Sequence, residues 1–172
     1  MTNPETERLL LCVNTLEDRA NFIGLLTDES VMRFVDTGVY TIGKAEELWR
    51  KLIDEFHPQG IDTIYGVFMK ENLQYIGQCW IRPSPLKKED WEIGYVLKTN
   101  AWGRGFATEI ARKLVEFGFS ELDLPEVFAT IDNDNAASIK VAEKAGMNFL
   151  RCESDEEGIF SVYSIKKHRK TL

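Results

Sequence analysis

The feature that most constrains the fold is a strand, a glycine-rich turn and a long helix that follow one another directly. Residues 91–97 are rich in strand-forming side chains, and residues 108–119 carry apolar residues at helical spacing. Between them, Gly103 and Gly105 permit positive φ and close approach of the backbone to a ligand, and Arg104 adds a positive charge. The first N–H groups of a helix have no intrahelical partner, so with the helix dipole they attract an anion. The segment therefore predicts a site for a phosphate or pyrophosphate group.

The spacing excludes two familiar phosphate-binding sequences. Position 108 is Thr, so the dinucleotide sequence GxGxxG is not present, and no acidic residue follows at a suitable place beyond a second parallel strand. The GKS or GKT of a P-loop is missing as well. Taken alone, the turn also remains compatible with an ordinary glycine-rich connection.

The chain predicts a single domain over residues 1–172, because no repeat, low-complexity tract or linker divides it. Its patterns give the order βααβββαβαββ, which is typical of the α/β (mixed α+β) class with a mixed, mostly antiparallel sheet and helices on both faces. The predicted strands are residues 8–13, 63–69, 73–81, 91–97, 127–131, 148–152 and 159–165, and the predicted helices are residues 15–26, 44–56, 108–119 and 136–145. Residues 30–40 are predicted to be irregular.

Composition and charge argue against several classes of binding partner. The formal net charge of -7 makes nucleic acid an unfavourable partner. There is no apolar run of about 18 residues and no signal-peptide pattern, so we expect no membrane partner and a cytoplasmic protein. The spacing of Cys12, Cys79 and Cys152 predicts neither a metal site nor a disulfide framework, and we interpret all three as small packing residues. The two histidines, His57 and His168, are interpreted as structural.

Residues 102–107, Trp-Gly-Arg-Gly-Phe-Ala, resemble the pyrophosphate loop of the GNAT superfamily of N-acetyltransferases. That loop reads Gln or Arg, two residues, Gly, one residue, and Gly or Ala. Trp102 departs from the first position, which we expect the loop to tolerate because main-chain N–H groups make most of its phosphate contacts. Trp102, residues 92–95 (Glu-Ile-Gly-Tyr) and the following Thr108-Glu109 resemble the RimJ/RimL branch, which contains the ribosomal-protein N-terminal acetyltransferases.

A second segment, from Asn135 to Met147, resembles a helix of the same family that begins with Asn and ends in Glu-Lys-x-Gly-Phe. It follows the loop by about 30 residues, behind a short strand, and Met147 replaces the usual Phe. Alone, the segment is also compatible with an ordinary helix capped by Asn135 and Gly146. Two motifs in the family's order favour the resemblance, which covers residues 92–172 well and residues 1–60 only in pattern.

The resemblance implies acetyl-CoA as co-substrate and no metal. In this family the coenzyme lies where two neighbouring strands splay apart, here residues 91–98 and 127–131. The pantetheine arm binds the main chain of the first strand, and one N–H group polarises the thioester carbonyl. By this resemblance the coenzyme-binding residues are Tyr95, Val96, Leu97, Trp102, Gly103, Arg104, Gly105, Phe106, Ala107, Thr108, Asn135 and Ser138.

The resemblance also implies a donor for the leaving thiolate. In many family members a Tyr has this role, but the corresponding position here is Ala142. Ser138 is then the best-placed hydroxyl. Asn135 is interpreted as a pantetheine contact or as a residue that orders the loop. A simple packing role for Ser138 remains the alternative.

For the general base, Glu92 is the first candidate, because strand alternation places it on the same face as Gly94 and Val96. Tyr163 on the last strand is a second candidate, which would relay a proton or close the cleft. A structurally hydrogen-bonded Glu92 is the alternative.

We therefore expect an enzyme, an N-acetyltransferase that moves the acetyl group of acetyl-CoA to a primary amine of a protein N-terminus or a small molecule. Attack is direct in a ternary complex, and the protein is a monomer or a homodimer. The absent Tyr keeps open an alternative, a non-catalytic acyl-CoA-binding regulatory domain. A longer acyl chain or different acceptor chemistry is a third possibility.

The acceptor pocket is expected around residues 30–56, since in this family such helices overhang the acceptor entrance. Aromatic walls with carboxylates at the mouth suit a cationic amine. The residues concerned are Phe34, Tyr40 and Trp49, with Asp28, Glu29, Asp36, Glu46 and Glu47. The alternative is that the aromatic residues form core and the acidic residues a solvated surface.

Overall fold

The computed structural model of the chain describes residues 3–35, 38–56, 64–155 and 158–168. Within them the strands are β1 (Leu9–Val13), β2 (Ile64–Met69), β3 (Tyr75–Pro83), β4 (Trp91–Leu97), β5 (Glu126–Asp132), β6 (Asn148–Ser154) and β7 (Ile159–Lys166). The helices are α1 (Arg19–Leu26), α2 (Glu29–Met32), α3 (Ile42–Lys51), α4 (Phe106–Ser120) and α5 (Ala136–Lys144).

The strands form one sheet in the order β1-β2-β3-β4-β5-β7-β6. Every neighbouring pair is antiparallel except β4 and β5, which are parallel. Helices α4 and α5 pack against one face of the sheet, and α1 to α3 pack against the other. The predicted class, a mostly antiparallel mixed sheet with helices on both faces, is confirmed.

Helix α4 lies close to the sheet because of a glycine on its buried side. Ile110 and Leu114 of this helix are fully buried. A Cβ added at Gly118 would lie 2.9 Å from Cδ1 of Ile81 and 3.0 Å from Cγ2 of Val127. The helix backbone therefore approaches β3 and β5 more closely than a larger residue would allow.

The opposite face has its own apolar cluster. Trp49 of α3 is 3% exposed and packs on Phe22 of α1, with ring centroids 5.2 Å apart. Val96 of β4 belongs to this cluster, whereas Ile93 and Leu97 belong to the cluster beneath α4. Strand β4 thus contributes to both cores by simple alternation.

Local differences from the predicted elements have physical causes. The segment predicted to be irregular contains α2, because the Asp28 carboxylate accepts hydrogen bonds from the N–H groups of Ser30 and Val31 and caps a short helix. Strand β3 begins at Tyr75 rather than at residue 73, since Leu73 adopts a positive φ of 56° in the turn. The helix predicted from residue 108 begins two residues earlier.

No helix in the described part of the chain is long and apolar enough to cross a membrane. The described residues also contain no group of three or more His, Cys, Asp and Glu placed to hold a metal ion. Cys79 is buried, but Cys152 is exposed on β6, so its interpretation as a packing residue is wrong. His168 is exposed, and His57 lies outside the described residues.

Candidate active site

Strands β4 and β5 separate soon after they meet. Their parallel register contains the single pair Glu92 and Phe128, although both strands continue beyond it. Further along β4, Tyr95, Val96 and Leu97 pair with β3 on the other side. The main-chain groups of this stretch that are directed towards β5 therefore have no ladder partner among the described residues. The family resemblance implied this separation, and an extended ligand could bind there as an added strand.

The glycine turn begins where β4 ends. Residues Thr99–Ala101 form a 3-10 turn, and the exposed indole of Trp102 donates a hydrogen bond from Nε1 to the carbonyl oxygen of Leu97, at 2.8 Å. Gly103 and Gly105 both have positive φ, 71° and 81°, and Gly105 is the N-cap of α4. The Trp102 side chain therefore links the turn to the end of β4. The sequence showed only that Trp102 departs from the family pattern and did not predict this contact.

The side chain of Arg104 is directed towards a buried aromatic ring. Its guanidinium carbon lies 4.7 Å from the ring centroid of Phe106, the first residue of α4, and Nη1 lies 3.8 Å from the sulfur of Met69. The cation thus remains close to the helix N-terminus while Phe106 itself is buried in the core.

Two residues beside the turn had no predicted role in the site: Arg8, and Glu109, which was named only for its resemblance to the RimJ/RimL branch. Glu109, one turn into α4, accepts hydrogen bonds from the Thr6 hydroxyl, from the N–H of Arg8 at 2.9 Å and from Nε of Arg8 at 2.7 Å. Another guanidinium nitrogen of Arg8 donates to the carbonyl oxygen of Arg104 at 3.1 Å. Partial burial alone would raise the pKa of the Glu109 carboxyl, but these hydrogen bonds and the Arg8 charge hold it below its usual value. No spacing rule links residue 8 to residue 109, so the sequence offered no signal for this contact.

A cavity of about 670 Å³ adjoins the same helix N-terminus. Gly105 and Thr108 line it, together with Arg8, Arg112, Lys113 and Lys144. Arg112 also donates to the carbonyl oxygen of Lys144 through Nε and Nη2, at 3.0 and 2.8 Å, and so holds the end of α5 against α4. The charges around this opening are mixed, because four carboxylates line the same cavity beside the four cationic side chains: Glu5, Glu7, Glu109 and Glu116.

Helix α5 brings Ser138 to β4. The Asn135 side chain caps the helix by accepting a hydrogen bond from the N–H of Ser138 at 3.0 Å, which agrees with the alternative interpretation of this segment as a capped helix. The Tyr95 hydroxyl donates to Oγ of Ser138 at 3.1 Å. Burial raises the pKa of Tyr95, which keeps the phenol protonated at neutral pH, although the Ser138 contact partly offsets the shift. The resemblance named Tyr95 for its main chain, and its side chain also supplies a phenol to Ser138, four residues before Ala142 in α5.

Glu92 lies at the point where β4 leaves β5, and its side chain is buried. Its Oε1 accepts a hydrogen bond from Nε of Arg82 at 3.0 Å, and its Oε2 accepts one from the Ser84 hydroxyl at 3.3 Å. The Arg82 guanidinium also lies 5.3 Å from the ring centroid of Trp80. Glu92 is therefore held in a polar group that links β3 to β4 on the face covered by α1 to α3.

Tyr163 lies on the opposite face from Glu92. It pairs with Ala129 of β5, whereas Glu92 is in register with Phe128. Adjacent residues of a strand point to opposite faces, so the register separates the two candidate bases. Tyr163 belongs to the core cluster on the face of α4 and α5, and its ring also packs against the exposed Phe149, with ring centroids 5.9 Å apart.

The residues predicted to shape the acceptor pocket are largely engaged elsewhere. Trp49 is core, Asp28 caps α2, Glu46 pairs with Arg19, and Glu47 pairs with Lys51 at 2.9 Å. Asp36 lies outside the described residues. Among the described residues, Asp28, Glu46 and Glu47 therefore each have a partner within the helical face itself.

Comparison with known proteins gives the class of this molecule. Residues 8–148 match the family model for the acetyltransferase (GNAT) domain. The uncharacterized N-acetyltransferase p20 of Bacillus licheniformis is 30% identical over 165 residues, which cover 95% of this chain and 88% of that protein. The uncharacterized protein YkkB of Bacillus subtilis is 32% identical over 170 residues, which cover 95% of both chains. The chain belongs to the GNAT acetyltransferase family, and it is an acetyltransferase.

Solved structures agree on the fold. An acetyltransferase of the GNAT family from Bacillus anthracis has a TM-score of 0.83 at 22% identity, covering 96% of this chain and 98% of that one. RimL, described as a ribosomal L7/L12 alpha-N-protein acetyltransferase in complex with coenzyme A, has a TM-score of 0.75 at 16% identity and covers 95% of this chain and 96% of its own. A spermidine N-acetyltransferase from Vibrio cholerae in complex with CoA and spermine has a TM-score of 0.74 at 15% identity, covering 92% and 95%. At these identities the likeness concerns the fold alone.

Proposed function

We propose that this enzyme moves the acetyl group of acetyl-CoA to a primary amine by direct attack in a ternary complex. One observation carries the proposal: the slot where β4 leaves β5 leads directly to a glycine turn at a helix N-terminus. Acetyl-CoA has the matching chemistry, an extended pantetheine arm joined to a pyrophosphate. The coenzyme A named for RimL and for the spermidine acetyltransferase supports this choice.

In this proposal the main chain of Tyr95, Val96 and Leu97 binds the pantetheine arm. Main-chain N–H groups of the turn and of the first turn of α4 bind the pyrophosphate, with Arg104 adding positive charge. One N–H of β4 polarises the thioester carbonyl as the amine attacks, and it stabilises the negative charge that develops on oxygen. The residues of the turn and the following helix are Trp102, Gly103, Arg104, Gly105, Phe106, Ala107 and Thr108.

Ser138 is proposed to protonate the leaving thiolate as the carbon–sulfur bond breaks. Its Oγ then carries the negative charge, and the Tyr95 hydroxyl already donates a hydrogen bond to this atom. A protonated phenol at this position stabilises the charge on the serine oxygen. Asn135 fixes the helix turn that carries Ser138 through its cap.

Glu92 remains the proposed base, and Tyr163 the alternative. If Glu92 accepts the amine's proton, Glu92→Gln should lower kcat/KM for the amine by about 100-fold near pH 7. The deficit should narrow at higher pH, where the amine loses its proton without help. If Glu92 only links β3 to β4 through Arg82 and Ser84, the loss would be the same at every pH. A matched Tyr163→Phe variant tests the alternative base under the same conditions.

The acceptor is proposed to be a protein N-terminus or a small-molecule amine, as in the RimJ/RimL branch that residues 92–95 and 102–109 resemble. The test is to incubate the chain with acetyl-CoA and a panel of amines, including spermine and peptides with free N-termini, and to measure released thiol. For at least one class of amine, we expect thiol to be released faster than it is in the absence of any amine. CoA binding without acceleration by any amine would contradict the proposal and favour the non-catalytic acyl-CoA-binding alternative.

A further inference from the structure

The segment before β1 contacts the glycine turn through Arg8. This arginine bonds to Glu109 through Nε at 2.7 Å and Nη2 at 2.6 Å, and its Nη1 donates to the carbonyl oxygen of Arg104 at 3.1 Å. Its guanidinium carbon lies 4.5 Å from the ring centroid of Phe106. We propose that Arg8 is a positioning residue, which presets the turn's backbone for the pyrophosphate of the coenzyme. This inference rests on the function proposed above.

The contact with the Arg104 carbonyl fixes a peptide plane. The peptide bond between Arg104 and Gly105 is trans, so its C=O and N–H point in opposite directions. A guanidinium that holds the oxygen on one side therefore directs the Gly105 N–H to the other side. Gly105 adopts φ of 81° and Gly103 adopts 71°, and glycines sample more backbone conformations than other residues when nothing holds them. Ordering this turn before the ligand arrives removes an entropy cost from binding.

The contact with Glu109 removes an opposing charge. A carboxylate in the first turn of α4 would compete with a bound phosphate for the positive end of the helix dipole. Arg8 neutralises this carboxylate, while the Thr6 hydroxyl and the Arg8 N–H hold it on the side of the N-terminal segment. The low pKa of Glu109 keeps it ionised at neutral pH, so Arg8 retains its anionic partner.

The geometry requires arginine and not only a positive charge. The planar fork reaches Glu109 with two nitrogens and the Arg104 carbonyl with the third, while its face covers the Phe106 ring. An ammonium group has neither the fork nor the flat face. Lysine at position 8 could pair with Glu109 but could not also hold the Arg104 carbonyl.

The test compares CoA with pantetheine, which lacks the pyrophosphate, by calorimetry. We expect Arg8→Gln to raise the Kd for CoA about 10-fold and to leave the Kd for pantetheine unchanged. Arg8→Lys should recover only part of this loss, because lysine can pair with Glu109 but cannot also hold the Arg104 carbonyl. Lys70→Gln is the matched control, because Lys70 pairs with Glu5 of the same segment at 3.0 Å without contacting the turn through its side chain. This control should bind CoA as the unmodified chain does.

Three results would overturn the inference: a Kd for CoA within twofold of the unmodified chain, an equal loss for pantetheine, or full recovery with lysine. Amide hydrogen exchange over residues 102–107 gives a readout without ligand, and it should become faster in Arg8→Gln but not in Lys70→Gln. Failure of the unmodified chain to bind CoA would instead contradict the proposed function, so the two failures are distinguishable.

Discussion

On the face of the sheet covered by α4 and α5, the candidate site is built mainly from main-chain groups, namely the separated edge of β4 and the glycine turn. On the face covered by α1 to α3, the groups predicted for the acceptor are side chains, and most are engaged in caps, ion pairs or the core. Asp28 caps α2, Glu46 pairs with Arg19, and Trp49 packs on Phe22. In the first region, main-chain groups are therefore available to bind a ligand. In the second region, the polar side chains mainly stabilise the helices that carry them.

The difference has a chemical reason. A pyrophosphate and a pantetheine arm are recognised by N–H and C=O groups that every residue carries, so few side chains are prescribed beyond glycine. An acceptor amine must be recognised by side chains whose identity and position vary. The two faces should therefore respond differently to substitution: the turn through ligand binding, and the helical face through stability.

The largest effect is expected from Gly105→Glu. The new side chain would have to adopt φ of 81°, and its Cβ would lie 3.5 Å from a guanidinium nitrogen of Arg8, with a negative charge placed at the anion site. CoA binding measured by calorimetry should weaken by at least about 1000-fold, or about 4 kcal/mol. Gly43→Glu is the control, because Gly43 lies in α3 with nothing within 4 Å of an added Cβ. Near-normal affinity in a folded Gly105→Glu protein would count against the coenzyme site.

Trp49→Ala should have the opposite effect, because it should reduce the stability of the fold and leave CoA binding nearly unchanged. Removing a side chain that is 3% exposed should cost about 3–5 kcal/mol of the free energy of unfolding. CoA affinity of the folded fraction should change by less than about twofold, since only the side chain of Val96 packs in the Trp49 cluster, whereas its main chain is the part proposed to bind CoA. Leu16→Ala serves as the control, because Leu16 is 73% exposed and its loss should cost less than about 0.5 kcal/mol. A large loss of CoA affinity in the folded Trp49→Ala protein would remove the distinction between the two faces.

The same contrast explains which parts of the structure could be predicted from the sequence. The turn, β4, α4 and α5 were predictable because glycine positions, caps and apolar spacing encode them locally, as with Asn135 and Gly146. Helix α2 was missed because four residues give too short a pattern, and only the Asp28 cap marks its start.

The side-chain contacts within the site were less predictable from the sequence. The contacts of Arg8 with Glu109 and of Tyr95 with Ser138 join residues 101 and 43 positions apart. Likewise, the sequence placed Glu92 on the correct face but could not show that Arg82 and Ser84 hold its carboxylate. Sequence periodicity describes which face a residue occupies, whereas the partner across the sheet depends on tertiary packing.

Ser138→Ala tests whether the main-chain site also needs a side chain for catalysis. If Ser138 protonates the thiolate, kcat should fall by about 10- to 1000-fold while the Kd for acetyl-CoA stays nearly constant. Replacing the exposed Ser154 at the end of β6 by Ala should leave both values unchanged. Steady-state kinetics with the best amine of the panel would measure this. An unchanged kcat would return Ser138 to a packing role beside Tyr95.

The smallest effect is expected from Glu109, and it depends on pH. Partial burial would raise the pKa of this carboxyl, but hydrogen bonds from Thr6 and Arg8 outweigh burial and hold the folded-state pKa below its usual value. A carboxyl with a depressed folded-state pKa stabilises the fold above its unfolded pKa, and the contribution is lost as the pH falls through the folded value. Because the pair with Arg8 is partly exposed and screened by solvent, we expect at most about 1 kcal/mol, or about 2–4 °C in Tm. Glu109→Gln should therefore lower Tm more at pH 6 than at pH 3. The control Glu71→Gln, in the exposed turn before β3, should differ little from the unmodified chain at either pH. If the Glu109→Gln deficit were as large at pH 3 as at pH 6, the ionised carboxylate would not be the stabilising species, and the N-terminal segment would be held to α4 by neutral hydrogen bonds alone.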